Sequence, residues 1–271
     1  MTTELASHNK HSLTLAAPLL AGSGAVGYAD AWPPGITAAM FGALVTSPVS
    51  WRPRRGHPPG RLAETPASFI LATGDHNPGF RRVIDDHALD WRRLSVPVIM
   101  ALAGSTVEDW DRIAAHLEDE PAIAGLELHV AEGARPVDVA NWVSAVRRAT
   151  TLPLLVKLPS AQAPALATPA IQAGADALVV GAAPLAAALT AAGTRIAGPL
   201  AGPAAFPFTL RAVAAVAGLN LPAPVIAAGG ISRLADARLC FAAGAVAVQI
   251  RSLLWVDPAA AVQLAADLAS R

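Results

Sequence analysis

The stretch that decides the fold runs from Pro224 to Ser252 and reads PVIAAGGISRLADARLCFAAGAVAVQIRS. Val225–Ala228 is a short apolar run, which is typical of a strand buried on both faces. Ser232 then predicts an N-cap for a helix over Leu234–Ala243. Ala245–Ile250 is a second apolar run of strand length. The order of strand, helix and strand predicts a parallel β–α–β unit.

Glycines mark both turns of this unit. Gly229 and Gly230 let the backbone turn sharply after the first strand and let a ligand approach it closely. Gly244 ends the helix, and Arg251-Ser252 follow the second strand. In a (β/α)8 barrel, the loops after strands 7 and 8 commonly bind phosphate through backbone N–H groups. The alternative is that the glycines serve only tight turns.

Working outward, strands and helices alternate along the rest of the chain. The predicted strands before this unit are 18–21, 43–46, 98–102, 125–130, 154–158 and 177–180. The predicted helices are one ending at 38–42, then 80–91, 107–118 capped by Thr106, 137–149, 161–173, 208–217 and one opening at Pro258. Eight strands and 271 residues predict a single (β/α)8 barrel domain over residues 1–271.

Three segments fall outside this alternation. Residues 13–15 and 18–21 predict a small N-terminal hairpin that leads into the first strand. Residues 47–79 are rich in proline and glycine, and they are too long for a plain connector. We therefore expect them to cover a site. Residues 181–206 predict a second long loop rich in alanine, glycine and proline.

Composition excludes several classes of protein. The formal net charge is zero, and the only basic run is Arg52-Pro-Arg-Arg55, which argues against nucleic acid as a partner. The single cysteine, Cys240, rules out an internal disulfide and an all-cysteine metal site, and its apolar helix predicts core packing. No apolar run is long enough to span a membrane, so we expect a cytoplasmic chain. We also expect no bound metal.

Ionisable residues near the carboxyl ends of strands are the candidates for chemistry on this fold. Lys157 interrupts an apolar strand, and a lysine there is rarely buried without a partner. Glu127 and His129 alternate on the preceding strand and so share one face. An inward-facing Glu127 is within reach of Lys157. The pair is either part of a functional site or a structural ion pair, and both readings stay open.

Other candidates lie on loops. Glu132 follows the fourth strand and is either catalytic or simply solvated. Asn77-Pro-Gly79 is either a ligand contact or a turn. Arg251 either binds phosphate or forms a salt bridge at the barrel rim.

Taken in order, these residues resemble those of one family, the class 1 dihydroorotate dehydrogenases, over nearly the whole chain. No single motif is specific, but the ordered set is. The matching segments are 20–24, 54–65, 74–79, 103–106, 156–158, 174–176, 198–203, 228–232 and 256–258. The resemblance implies an FMN-dependent (β/α)8 barrel that forms a homodimer and acts on a small molecule.

The resemblance also implies roles for the cofactor site. The family lysine that contacts the flavin is kept as Lys157, and the glycines that hold the FMN phosphate are kept as Gly229 and Gly230. The second phosphate loop, which is Gly-Thr or Gly-Ser in the family, reads Arg251-Ser252 here. The further positions expected to contact the cofactor are Ala21, Ser47, His129 and Gly202.

Several substrate positions depart from the family pattern. A second family lysine has become Ser47, and the family base, a cysteine or serine, has become Glu132. Asn77 is kept. The positions where the family has asparagines that hold orotate are Leu71, His129, Ala134 and Ala182. A site loses several kcal/mol of discrimination when such hydrogen-bond partners are removed, about 1–3 kcal/mol for each.

The leading interpretation is an FMN-dependent oxidoreductase acting on CH–CH groups, with an altered substrate site formed in part by Leu71, Asn77 and Ala182. In it, Glu132 takes a proton and Lys157 stabilises charge near the flavin. A second hypothesis is a non-catalytic barrel that serves as a binding or assembly subunit. A third is an authentic dihydroorotate dehydrogenase of pyrimidine biosynthesis.

Overall fold

Eight parallel strands close into a barrel in the computed structural model, which describes residues 2–103, 106–190 and 192–270. The strands in chain order are β1 Thr3–Glu4, β2 Thr14–Leu15, β3 Leu19–Ala21, β4 Ala43–Val45, β5 Leu62–Thr65, β6 Ser68–Leu71, β7 Val98–Leu102, β8 Gly125–His129, β9 Leu154–Pro159, β10 Ala177–Ala182, β11 Leu185–Leu189, β12 Arg195–Ala201, β13 Val225–Ala228 and β14 Ala247–Ile250. The barrel order is β10-β13-β14-β3-β4-β7-β8-β9, closed by the pairing of β9 with β10.

Helices surround this barrel and follow most of its strands. They are α1 Phe80–Trp91, α2 Val107–Leu117, α3 Pro136–Ala149, α4 Ala163–Gln172, α5 Phe206–Ala217, α6 Leu234–Ala242, α7 Ser252–Val256 and α8 Pro258–Ala269. The prediction of a (β/α)8 barrel with a small N-terminal hairpin is therefore confirmed.

The core has two layers because each barrel strand is buried on both faces. One face packs against the helices in a large apolar cluster that includes Cys240. Burial and the charge of Asp236 raise the pKa of this thiol to about 12, so the thiol stays protonated. The other face fills the barrel interior, where Leu5, Leu13 and Leu15 of the N-terminal segment pack against it. The β1–β2 hairpin thus closes one end of the barrel.

A four-stranded antiparallel sheet covers the other end. Its order is β11-β12-β6-β5, so it joins two segments that are far apart in the chain. The prediction that residues 181–206 form a loop is wrong, because most of this segment is the β11–β12 hairpin. Residues 47–79 likewise contain the β5–β6 hairpin. The pairing of β6 with β12 places the β5–β6 hairpin in the covering sheet, and Pro48 and Asp75 of the same segment line the cavity described below.

Three local predictions differ from the structure. The helix predicted to end at 38–42 is only a 3-10 turn over Ala38–Met40. The hairpin pairs β2 with β1 rather than with 18–21, because Leu19–Ala21 is occupied as the barrel strand between β14 and β4. Helix α6 has Arg233 at its N-cap position instead of Ser232.

Across the described ranges, no helix combines the length and the apolar composition needed to cross a lipid bilayer. Of the segment 103–106 that matches the family, Gly104 and Ser105 lie outside the described residues.

Candidate functional site

A cavity of about 450 Å³ opens at the carboxyl ends of the barrel strands, beneath the covering sheet. This volume lies in the range of roughly 300–1,000 Å³ that is usual for small-molecule sites. The barrel supplies its floor and sides through the ends of β8, β9, β10, β13 and β14, and β12 supplies part of its roof. The site is therefore built where the fold places chemistry.

Four polar side chains form a hydrogen-bonded network at the floor of the cavity. Lys157 Nζ lies 3.2 Å from Glu127 Oε1 and 2.9 Å from Gln249 Oε1. Gln249 Nε2 donates to Glu127 Oε2 at 2.5 Å. His129 Nε2 lies 2.7 Å from Glu127 Oε1. Parallel pairing of β8 with β9 places His129 beside Lys157. Glu127 lies two residues before His129 on the same face of β8, so the three side chains meet.

The network stabilises charge inside the barrel. Burial alone would raise the pKa of the Glu127 carboxyl, but the charge of Lys157 and the hydrogen bonds from His129 and Gln249 lower it to about 2. Burial lowers the pKa of Lys157, and the charge of Glu127 opposes that shift. The Glu127 side chain has no exposed area, whereas 14% of the Lys157 side chain is exposed. Lys157 is thus the member of the pair that a ligand reaches.

The loop after β13 approaches the cavity with bare backbone. Gly229 has a φ of 106°, and a Cβ there would lie 2.6 Å from the carbonyl oxygen of Gly181. Gly230 has a φ of 73°, and a Cβ there would collide with the backbone nitrogen of Phe206. In the described part of the chain, the N–H groups of Gly229, Gly230 and Ile231 have no hydrogen-bond acceptor. Adjacent free donors of this kind suit a phosphate group.

The helix that follows this loop contributes less than the sequence predicts. Asp236 Oδ2 accepts from both the backbone N–H and the hydroxyl of Ser232, at 3.1 and 3.0 Å. The carboxylate of Asp236 is buried in the first turn of α6. A negative charge at this position already interacts with the positive end of the helix dipole. The free glycine N–H groups, rather than the helix, are therefore the main donors at this end of the cavity.

Arg251 supplies positive charge at the same end. It lines the cavity after β14, and its guanidinium carbon lies 5.3 Å from the ring centroid of Trp255. Burial lowers the pKa of Arg251, and the charge of Asp75 opposes that shift. Among the residues the structure describes, the guanidinium forms no hydrogen bond and no ion pair. Its five donors remain available to an anion. The free glycine N–H groups and this guanidinium fit the phosphate of a flavin mononucleotide.

Glu132 lies at the edge of the cavity. Its side chain is exposed, and Oε2 accepts from the backbone N–H of Leu185 at 3.1 Å. The side chain therefore joins the loop after β8 to strand β11 of the covering sheet. Among the described residues, it has no charged side chain as a partner.

The structure gathers most of the predicted site residues into this one cavity. The predicted residues that line it are His129, Glu132, Lys157, Ala182, Gly202, Gly229, Gly230, Arg251 and Ser252. The predicted residues outside the lining are Ala21, Ser47, Leu71, Asn77 and Ala134. Asn77 is buried, and its amide is bonded to Ser50, Gly79 and Asp75. This amide therefore holds the segment before α1 in place.

Two cavity residues that interact with its charged groups, Gln249 and Asp75, were not among the predicted site residues. Gln249 holds Lys157, and Asp75 faces the end of the cavity that contains Arg251. The signal for Gln249 was present, because it is the only polar residue in the apolar run Ala245–Ile250. Asp75 gave no comparable signal, since it lies in a polar loop segment.

Comparisons with known proteins agree with this geometry. A family model described as dihydroorotate dehydrogenase matches residues 5–271. A relative from Desulforudis audaxviator, named dihydroorotate dehydrogenase B (NAD(+)), catalytic subunit, is 37% identical, with 94% of this chain and 89% of the relative covered. Relatives of the same name from Geotalea daltonii and Pelobacter propionicus are each 33% identical. They cover 93% and 95% of this chain and 88% and 90% of their own lengths.

The closed barrel, the loop of free N–H groups after β13 and the buried lysine fit the flavin-dependent oxidoreductase class to which these relatives belong. The chain belongs to the dihydroorotate dehydrogenase family.

Proposed function

We propose that this protein is an FMN-dependent dehydrogenase that oxidises a CH–CH bond of a small molecule in the cavity at the mouth of its barrel. The observation that carries the proposal is the set of free donors in the cavity. Its lining offers the free donors of Gly229, Gly230 and Arg251 together with the ammonium group of Lys157. A flavin mononucleotide needs donors of both kinds, because its phosphate and its ring system require different partners.

The proposed roles follow from the contacts of each group. The N–H groups of Gly229 and Gly230, the Arg251 guanidinium and the Ser252 hydroxyl bind the phosphate. Lys157, fixed by Glu127 and Gln249, stabilises negative charge on the ring. Gly202 lets the covering sheet approach the cavity, since a Cβ there would lie 2.8 Å from the Ser68 hydroxyl. When bound, the flavin supplies the hydride acceptor.

Ala21 and Ser47 are given supporting roles in this proposal. Ala21 has no exposed area, but it precedes Gly22, which lines the cavity. Ser47 likewise precedes Pro48, another lining residue. Both act through the backbone next to them rather than through their own side chains.

We further propose that the preferred substrate is not dihydroorotate. Among the described residues that line the cavity, none is an asparagine, and Gln249, the one carboxamide, is already bonded to Lys157 and Glu127. Ala182 and Leu185 present apolar surface instead. Each missing polar partner costs about 1–3 kcal/mol in binding the transition state.

Dihydroorotate itself is the second candidate substrate. The names of the relatives favour it, and at 37% identity the chain covers 89% of the relative from Desulforudis audaxviator. Those relatives are named catalytic subunits, which gives a non-catalytic role no support.

The two substrates are separated by one assay. The assay measures anaerobic reduction of the bound flavin by dihydroorotate, followed by absorbance. The reduction rate is expected to lie several orders of magnitude below the turnover rate of a physiological enzyme. Fast reduction, or complementation of a pyrimidine auxotroph, would establish the second candidate and show that other side chains replace the missing asparagines.

Flavin binding itself is tested by titration of the apoprotein with FMN. Arg251→Leu is expected to weaken binding by roughly 10- to 100-fold, because it removes a charge-assisted contact worth about 1.5–3 kcal/mol. Lys157→Ala is expected to weaken binding less and to alter the flavin spectrum. Arg238→Leu, at an exposed position on α6, is the matched control. If wild type does not bind FMN, or if Arg251→Leu matches Arg238→Leu, the proposed phosphate site is wrong.

We also propose a cytoplasmic, single-domain chain that forms a homodimer, as the family resemblance implies. The name catalytic subunit implies that the relatives work with another subunit, and we propose the same for this chain. Light scattering of the purified protein is expected to give twice the chain mass of 27.6 kDa. A mass of one chain would contradict the homodimer.

A further inference from the structure

The two ring nitrogens of His129 have different surroundings. Nε2 lies 2.7 Å from Oε1 of Glu127, whose side chain is fully buried. The low pKa of this carboxyl keeps it ionised, and an ionised carboxylate only accepts hydrogen bonds. Nε2 must then carry the hydrogen of the neutral ring. This tautomer, assigned from the hydrogen-bond partner, leaves the lone pair on Nδ1.

The other nitrogen is free to meet a ligand. Within the described ranges, Nδ1 of His129 takes part in no hydrogen bond. The side chain is 26% exposed and lines the cavity, close to Lys157 on the neighbouring strand. The structure thus combines a base with a free lone pair, a buried carboxylate that orients it, and a cavity beside both.

We propose that His129, oriented by Glu127, is the group that accepts the proton of the substrate in this cavity. The inference rests on the proposed dehydrogenase function. One C–H bond breaks and its hydrogen becomes the N–H of Nδ1, while the electron pair of that bond forms the new C=C bond. The oxidised flavin of the proposed function would supply the acceptor for the hydride from the adjacent carbon, which completes a two-electron oxidation of the substrate.

The charged groups around the ring support this role. Glu127 stabilises the imidazolium that forms, in the way that carboxylates paired with catalytic histidines do. Lys157 and Gln249 share the same carboxylate and hold it in place. The other charged groups that line the cavity are Asp75, Glu132 and Arg251. Glu132 is the rival base, but it is exposed and bonded to Leu185, with no buried partner that orients it.

The tautomer is tested on the apoprotein, without flavin or substrate. Long-range ¹H–¹⁵N correlation spectra, with the signals of His129 assigned by their loss in His129→Asn, are expected to show a neutral ring protonated at Nε2. A neutral ring protonated at Nδ1 would overturn the proposal, because no lone pair would then face the cavity.

The proton transfer is tested by anaerobic reduction of the bound flavin at high dihydroorotate concentration, which detects slow single turnovers. His129→Ala is expected to lower the reduction rate by about 100-fold or more, with a much smaller change in FMN affinity. His8→Ala, at an exposed histidine in the hairpin segment at the opposite end of the barrel, is the matched control. An unchanged rate in His129→Ala would overturn the proposal, and so would a loss of the same size in the single variant Glu132→Gln.

Failure of the proposed dehydrogenase function is distinguishable from failure of the proposed role of His129. If wild-type protein binds FMN but shows no reduction at all, dihydroorotate is excluded as a substrate, and the tautomer of His129 alone decides the inference. If FMN does not bind, the dehydrogenase function fails with it.

Discussion

Glu127 carries its negative charge at a position with no exposed surface, so its effect on stability depends on pH. Its pKa in the folded protein is about 2, below the ordinary value of 4.5. A carboxyl with a lowered pKa stabilises the folded state above its ordinary pKa, and this contribution is lost as pH falls toward the folded value. We therefore expect wild type to lose more free energy of unfolding than Glu127→Gln as pH falls from about 5 to about 3.

Urea unfolding at several pH values measures this difference. Glu108→Gln removes an exposed carboxylate from α2 and serves as the matched control, with a pH dependence close to that of wild type. Parallel curves for wild type and Glu127→Gln would show that the network does not hold the carboxylate ionised.

At the same scale, the sequence predicted part of the site. The two-residue alternation predicted that Glu127 and His129 share a face, and the lone lysine on the next strand indicated a pairing of Lys157 with Glu127. Gln249 was missed because its partners lie on β8 and β9, and only closure of the barrel brings β14 opposite them. Ser232 was predicted as a cap because its type is common there, but Asp236 binds its hydroxyl instead.

At the scale of elements, the turn after β13 requires glycine at position 230 for two separate reasons. Its φ of 73° is strained for any side chain, and a Cβ would also collide with backbone of Phe206. Gly35 has a similar φ of 78° but no heavy atom within 4 Å of a Cβ. The left-handed backbone alone costs about 1–2 kcal/mol. Overpacking adds about 1–3 kcal/mol.

We therefore expect Gly230→Ala to lower the free energy of unfolding more than Gly35→Ala, and to weaken FMN binding as well. Urea unfolding and FMN titration of the two variants measure both effects. Equal destabilisation in the two variants would show that the loop after β13 moves away from Phe206 without cost.

The covering sheet shows where prediction of elements from sequence fails. β11 reads Leu-Ala-Ala-Ala-Leu, which lacks the polar and apolar alternation of a half-exposed strand and also lacks the β-branched residues typical of strands. β12 pairs with β6, and the two lie more than a hundred residues apart in the chain. Strands that form only through such distant pairing leave little trace in local sequence. The barrel strands were predictable because each is an apolar run between turn residues.

For the whole molecule, length and the number of apolar runs predicted the barrel, since eight alternating units of this size form one closed core. The ordered set of motifs predicted the family, which the comparisons confirmed. The position of the active end followed from the fold, because the loops after the carboxyl ends of the strands meet there. A cover formed by residues 47–79 was expected, but its paired strands were not, because they belong to long insertions between barrel units.

Closure of the barrel also has a consequence for how the protein is made. β3, near the start of the chain, pairs with β14, near its end. During synthesis, the backbone groups on one edge of Leu19–Ala21 stay unpaired until Ala247–Ile250 has left the ribosome. Until then the nascent chain is an open sheet with two free edges, and free edges are templates for pairing between chains. The cavity is completed last, because Gln249 arrives with this final strand, and Arg251 and Ser252 arrive directly after it.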